Sequence, residues 1–483
     1  MKHRLLQKSK FFKIIQPLKF HRQVRMTRQK AIEIYEKIQS GDREEAIQIL
    51  MRLKESEEDA DSSEEEELPL TPSGSQAVYK KPNHRKRGKK PGRKKGHKGE
   101  ARRQPAHIDD HQEHTLCQCP NCATPVGKSI RQRKRYIEDI PEVVPSITEH
   151  TIHGYWCSNC QKIVEPVFTE AMPNDNISIR LYLFTAWLHY MVGISIHNLL
   201  KMLNYLHSFP ISAGGLVQGW QRLAKLLKPE YVKIGQKARH STVLNADETG
   251  WRLNGITHWL WCFSNRQLCY YTIERSRGSP VLLEFLGTFF KGVLICDFWG
   301  AYNKIRALAK QRCLFHLFSE LIKVDKSNHC NVWKAFRKKL SRILKDAIRL
   351  HERKGELSPQ QYEHRKERIH HRLKALISTA YEDKDCRRLC KRLKRHQKEL
   401  FTFLEYDNVS PYNNHAEQQM RKPVITRRVS QQNRSDKGAL TQAILMSIFR
   451  TAELQNLNPI KHAHSLALMI IQNNKLDDQK KAA

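Results

Sequence analysis

Residues 242–263, TVLNADETGWRLNGITHWLWCF, decide the fold. Apolar, β-branched and aromatic residues crowd both halves of this stretch, and Asn254-Gly255 separates them. Asn-Gly between two such runs signals a type I′ turn, because both central residues need positive φ. The stretch therefore predicts a β-hairpin, with one strand over 242–253 and its partner over 257–263. An acid, Asp247, lies within the first strand, with Glu248 as its immediate rival.

Outward from this hairpin, Ser264-Asn265-Arg266-Gln267 reads as a second turn into a third strand over 268–273. A helix over 280–286 leads to an apolar strand over 292–297 that ends at Asp297. A second helix over 301–310, a short strand over 312–316 and a late helix over 413–421 carrying Glu417 complete the order. This succession resembles that of a ribonuclease H-like fold, an α/β class with one mixed sheet. In such a sheet the first strand lies beside the fourth, so Asp247 and Asp297 are expected to face each other. The distal helix is expected to bring Glu417 to the same edge.

Three ionised carboxylates at short range raise the pKa of at least one of them. Two Mg²⁺ (or Mn²⁺) ions would relieve the repulsion, and Asp and Glu oxygens suit such hard cations. Other readings compete. An Asp at a strand end can serve a turn. Glu417 follows Asn414 by three residues and can close a capping box, or it can pair with Arg421 one turn on. Cys313 and His316 form a C-x-x-H at the last strand, as core or as site lining.

The chain has 483 residues, with 85 Lys+Arg against 49 Asp+Glu and a formal net charge of +36. Such an excess implies a polyanionic partner, with double-stranded DNA first, then RNA, then an anionic membrane surface. The basic start, MKHRLLQKSKFFK, lacks the apolar core of a secretory signal. The most apolar stretch, 181–196, contains His189 and reads as buried helix, not as a membrane span. With twelve cysteines read as reduced thiols and metal ligands, a cytoplasmic, nucleoid-associated protein is expected.

Residues 24–54 read as a helical hairpin, for DNA or for self-association. Over 55–105 the chain is a charged linker: nine of thirteen residues from Glu55 to Glu67 are acidic, and thirteen of twenty-four from Lys80 to Arg103 are basic. The basic part contains Arg93, Lys94, Lys95 and Lys98, which are suited to tracking a phosphate backbone. Within a 106–170 module, C-P-N-C and C-S-N-C give Cys119, Cys122, Cys157 and Cys160, the ligand set of a structural Zn²⁺. Cys117 is spare, and four thiolates leave no open position for catalysis. Residues 177–235 read as helical, with the layout of a helix-turn-helix or of a plain bundle. The core's first part is placed at 241–318, a basic helical insertion facing DNA at 319–405, and the core's completion with C-terminal helices at 406–472.

Several segments together resemble the insertion-sequence-66 type of bacterial DDE transposases. They are PGRKKGHKG, the two Cys pairs, ADETGW, ICDFWGAY, NNHAEQQMRKP and ILMSIFRTAELQNLNP, which run from about residue 80 to 465. The resemblance implies Mg²⁺-dependent cleavage at element ends and strand transfer through Asp247, Asp297 and Glu417. It also implies terminal inverted repeats and target DNA as partners, and accessory proteins of the same element. Synapsis of two DNA ends makes a homodimer or a higher assembly the expectation. Arg421, Arg427 and Arg428 are candidate phosphate contacts beside the site. Two departures from the family's pattern stand out: Gln418 follows the glutamate where Arg is common, and Leu317-Phe318 follow the C-x-x-H histidine where basic residues are common.

Overall fold

The computed structural model describes residues 105–140 and 142–481. The hairpin expected over 24–54 and the linker with Arg93, Lys94, Lys95 and Lys98 lie outside the described residues. The chain divides into two units after Tyr136. In the second unit, β1 (Tyr155–Cys157) and β2 (Lys162–Val164) form a small antiparallel ladder.

Three helices follow: α1 (Ile179–Trp187), α2 (Ile196–His207) and α3 (Ala213–Arg239). Each starts at a serine (Ser178, Ser195, Ser212) whose hydroxyl accepts the N–H three residues on. The apolar stretch over 181–196 is α1, a π-helical turn at Leu188–Val192 and a stop at Gly193, where φ is 88°. Among the described residues no helix is long and apolar enough to cross a membrane. Leu216, Trp220, Leu223, Leu227, Tyr231 and Ile234 recur at helical spacing on α3, and all are buried.

The sheet comprises β3 (Val243–Leu253), β4 (Ile256–Ser264) and β5 (Cys269–Glu274), then, after helix α4 (Ser279–Leu286), β6 (Phe289–Cys296) and β7 (Arg306–Arg312). Its order is β5-β4-β3-β6-β7: the meander is antiparallel, and β6 and β7 join β3 in parallel. Asn254 and Gly255 have φ of 48° and 76°, both positive as the hairpin reading requires. Gly292 immediately precedes the β3–β6 pairing, which starts at Val293, and a Cβ there would lie 2.3 Å from the Ser241 carbonyl oxygen and 2.7 Å from that of Thr242. Only glycine lets the two backbones approach this closely.

One stretch differs from its sequence reading. The expected helix over 301–310 is a single 3₁₀ turn, Gly300–Lys304, and β7 starts at Arg306. What read as a strand over 312–316 instead opens helix α5 (Leu314–Asp325). The sequence RALAKQR has no β-branched residue and favours helix locally. Pairing along β6, through Val293↔Ala309 to Cys296↔Arg312, overrides that preference.

Side-chain alternation on β6 assigns the two faces of the sheet. Leu294 and Cys296 join the core that contains α1, α3 and α4. Val293 and Ile295 join a second core built by α5, α6 (Asn331–Glu352), α7 (Pro359–Ser378) and α8 (Lys384–Arg395). The helical stretch 177–235 thus shares a core with the sheet, and the basic insertion covers the opposite face. Helices α9 (Asn414–Ser430), α10 (Asp436–Leu454) and α11 (Pro459–Lys481) complete the chain. Pro423 within α9 leaves the Gln419 carbonyl without a helical N–H, and the buried Tyr271 hydroxyl donates to it at 2.8 Å, pinning α9 to β5.

Candidate active site

Asp247 lies mid-way along β3, and Asp297 comes one residue past the end of β6. The parallel register sets Asn245 opposite Ile295, so two residues further on the two aspartates hold equivalent positions on neighbouring strands. Residues two apart share a face. Val243, Asn245 and Asp247 therefore face the same side as Val293, Ile295 and Asp297, the side covered by α5–α8.

Glu417 arrives on the first turn of α9, and buried Asn413 fixes where that turn begins. Asn413 Nδ2 donates to the Ala246 carbonyl at 2.9 Å, and its Oδ1 accepts from Asn245 Nδ2 at 3.0 Å. Its own N–H reaches Cys313 Sγ at 3.2 Å, and its carbonyl accepts the Glu417 N–H at 3.2 Å. One side chain thus ties the helix carrying Glu417 to the residue preceding Asp247. Neither competing reading of Glu417 finds its contact. Asn413, not Asn414, precedes the helix, with no side-chain cap, and Glu417 Oε1 is buried with no hydrogen-bond partner. Arg421 is exposed, and among the described residues no ion pair joins it to Glu417.

Burial pushes the Asp247 carboxyl well above the usual carboxylate range, and the charges of Glu248, Asp297 and Glu417 push it further. Glu248, the neighbouring acid, has partners of its own. Arg277 Nε donates to its Oε1 at 3.0 Å and the Tyr302 hydroxyl to its Oε2 at 2.7 Å. These bonds and the Arg277 charge partly offset burial and the Asp297 charge, which raise its pKa.

Donor atoms of Cys313, His316 and Glu417 also lie within 4.8 Å of one another, with His316 Nδ1 3.9 Å from Glu417 Oε1. Burial raises the Cys313 thiol to about 11, and its sulfur already accepts the Asn413 N–H. It is therefore neutral and a poor ligand near pH 7, whereas the carboxylates offer the oxygens that Mg²⁺ and Mn²⁺ prefer. The orphaned buried Oε1 of Glu417 is the kind of atom a cation would satisfy.

Residues that the sequence reading passed over brace this edge. Buried Arg312 donates to the Asp297 carbonyl at 2.7 Å, to Asn303 Oδ1 at 2.9 Å and to Glu399 Oε2 at 2.7 Å. Arg392, from α8, lies over the Phe298 ring at 5.3 Å, pairs with Glu320 and feels the charge of Asp297. Of the three arginines singled out on α9, Arg427 is half-buried and donates to Thr249 Oγ1 at 3.2 Å and to the Gly250 carbonyl. Arg421 and Arg428 are exposed.

The two cysteine pairs fall in different units of the chain. In the first, the Cys119 N–H donates to the Thr124 carbonyl and the Ala123 N–H to the Cys119 carbonyl, each at 2.8 Å. Hydrogen bonding to Thr124 lowers the Cys122 pKa. In the second, Cys157 ends β1 and Cys160 sits in the turn before β2. Bonds from the backbone and side chain of Cys160 lower the Cys157 pKa. Both are tight turns around two sulfurs.

A family model described as "Transposase IS66 family" matches residues 177–441, a span that holds Asp247, Asp297 and Glu417 together with all five strands of the main sheet. The chain belongs to the IS66 family of transposases. No match was found among curated proteins. In this transposase the two departures from the family pattern have different surroundings. Gln418 is exposed beside Glu417, whereas Leu317 is fully buried on α5 against the insertion's core.

Proposed function

We propose that this IS66-family transposase is a DDE enzyme that binds the terminal inverted repeats of its element and performs metal-dependent strand cleavage and strand transfer into target DNA. The observation that carries this reading is the juxtaposition of Asp247 and Asp297 at one register on adjacent parallel strands, with Glu417, whose buried Oε1 has no hydrogen-bond partner, acting electrostatically on Asp247. The strand order β5-β4-β3-β6-β7 supports a ribonuclease H-like core, in which the three carboxylates would hold two Mg²⁺ or Mn²⁺ ions. Held there, such ions would supply the activation of a water or a 3′-hydroxyl and the stabilisation of the leaving oxygen. The chain's own residues supply the rest. Asn413 and Arg312 fix the positions of Glu417 and Asp297, while Arg421, Arg427 and Arg428 on α9 and the exposed Lys338, Lys339, Arg365 and Arg387 offer positive charge to phosphates. Synapsis of two ends calls for a homodimer or larger assembly, and accessory proteins of the element are further partners.

With DNA carrying the element ends, the full chain is expected to cut in Mg²⁺ or Mn²⁺ and to be silent in EDTA. Cleavage that survives chelation would overturn the metal reading. Binding without cleavage in any divalent ion would leave a DNA-binding protein with a vestigial core.

From their two C-x-x-C spacings, Cys119, Cys122, Cys157 and Cys160 are proposed as the ligands of one structural Zn²⁺. Elemental analysis of the reduced protein is expected to find one zinc per chain, lost in Cys157→Ser. Zinc-free protein with an unchanged fold would refute the assignment.

A further inference from the structure

Trp299 has no part in the chemistry above, yet it stands beside it. Two residues after Asp297, its backbone N–H donates to Asp297 Oδ1 at 2.8 Å. Its indole Nε1 donates to the Arg277 carbonyl at 3.3 Å, so the ring plane is held from both ends. The Arg277 guanidinium lies over the same ring, 4.1 Å from its centroid, and over Trp259 at 4.6 Å, while its Nε is anchored on Glu248. Cation–π contact of this kind covers one side of the indole. Even so, Trp299 remains 41 % exposed.

A large ring held rigid, backed by a cation and left partly open, on a residue whose backbone N–H bonds Asp297, is suited to a flat apolar ligand. The partner of a +36 chain is polyanionic. In a nucleic acid the flat group is the base, and every base has a π-face that stacks on an aromatic side chain. Bases within an intact duplex have both faces occupied, so the matching ligand is an unpaired or extruded nucleotide. We propose that Trp299 is a substrate-positioning residue on which one unstacked base of the DNA, next to the phosphate cut at the Asp247, Asp297 and Glu417 site, lies flat. Arg277 keeps the platform rigid. This rests on the carboxylates being the site of strand cleavage, and the test separates the two.

Duplexes carrying the element end are prepared intact, with an abasic nucleotide at each position flanking the cut, and with 2-aminopurine at those same positions. On intact DNA, Trp299→Leu is expected to lower kcat/KM about tenfold or more, and Trp299→Phe to recover most of the loss. At one position the abasic nucleotide should slow the wild type by a similar factor and abolish the difference between wild type and Trp299→Leu. A role confined to bracing the loop would slow both substrates alike at every position, and that result overturns the proposal. 2-Aminopurine at the stacked position should be quenched in the wild-type complex and brighten with Trp299→Leu. This readout needs binding but no cleavage. A chain that binds without cutting therefore loses the catalytic reading and still reports on the platform. Equal fluorescence for both proteins at every position overturns the platform alone, and failure to bind DNA at all overturns both.

Discussion

Asp247→Asn is expected to raise the thermal stability of the metal-free transposase while lowering DNA cleavage by on the order of 10³-fold or more. Both effects have one origin. Asp247 is raised well above the ordinary carboxylate range by burial, then by Glu248, Asp297 and Glu417. Its folded-state pKa therefore exceeds its unfolded one. Its favourable contribution is complete at low pH, below the unfolded value, and is lost as pH rises through the folded value. The Asn variant keeps the shape and drops the charge, so its melting temperature should exceed that of the wild type at pH 7 and converge with it near pH 4. Added Mg²⁺ should stabilise the wild type and leave the variant almost unchanged, since a ligand stabilises only a form that binds it. A variant less stable than the wild type at pH 7 without metal would show that Asp247 is satisfied in the fold and is not held there for a cation.

The second large effect lies beneath the site. Glu399→Gln is expected to cost about 3 kcal/mol of folding stability, because it strands a buried guanidinium. Arg312 is fully buried, and Glu399 is its only carboxylate partner among the described residues. Burial pushes Glu399 up, but the bond from His396, the Arg312 charge and the contact with Lys310 (2.9 Å) outweigh it and hold the carboxyl at about 2. The pKa is depressed in the folded state, so its stabilisation is present above the ordinary carboxylate range and is lost as pH falls toward 2. Urea unfolding at pH 7 and pH 3 reads both claims. The variant should be weaker at pH 7, and the gap should narrow at pH 3. Because Arg312 also donates to the Asp297 carbonyl, cleavage should fall as well. An unchanged urea midpoint would mean that water satisfies Arg312 and that the pair is not structural.

How much of this was legible in the chain depended on whether the signal was local. The hairpin was readable because Asn254-Gly255 is a two-residue signal, and Asp297 because an apolar run ends at it. Glu417 was placed on a helix, but its competing roles could be judged only from surroundings that local spacing does not encode. At β7 local propensity misled, since an Ala-rich, Lys-containing segment forms a strand only because β6 is there to pair with it. The braces were invisible for the same reason. Arg312 and Glu399 are 87 residues apart and Asn413 and Ala246 are 167, and although Asn413 and Ala246 each open a quoted motif, neither motif tells that one bonds the other. Arg277 and Trp299 are 22 residues apart on opposite sides of α4, and only the folded chain puts one over the other.

The most direct test of the central claim compares Asp247→Asn, Asp297→Asn and Glu417→Gln with the wild type on element-end DNA in Mn²⁺, measuring binding and cleavage in the same samples. All four proteins are expected to bind the DNA with similar affinity, and only the wild type to cut it. Wild-type cleavage by any one of the three variants would contradict a site made of all three carboxylates.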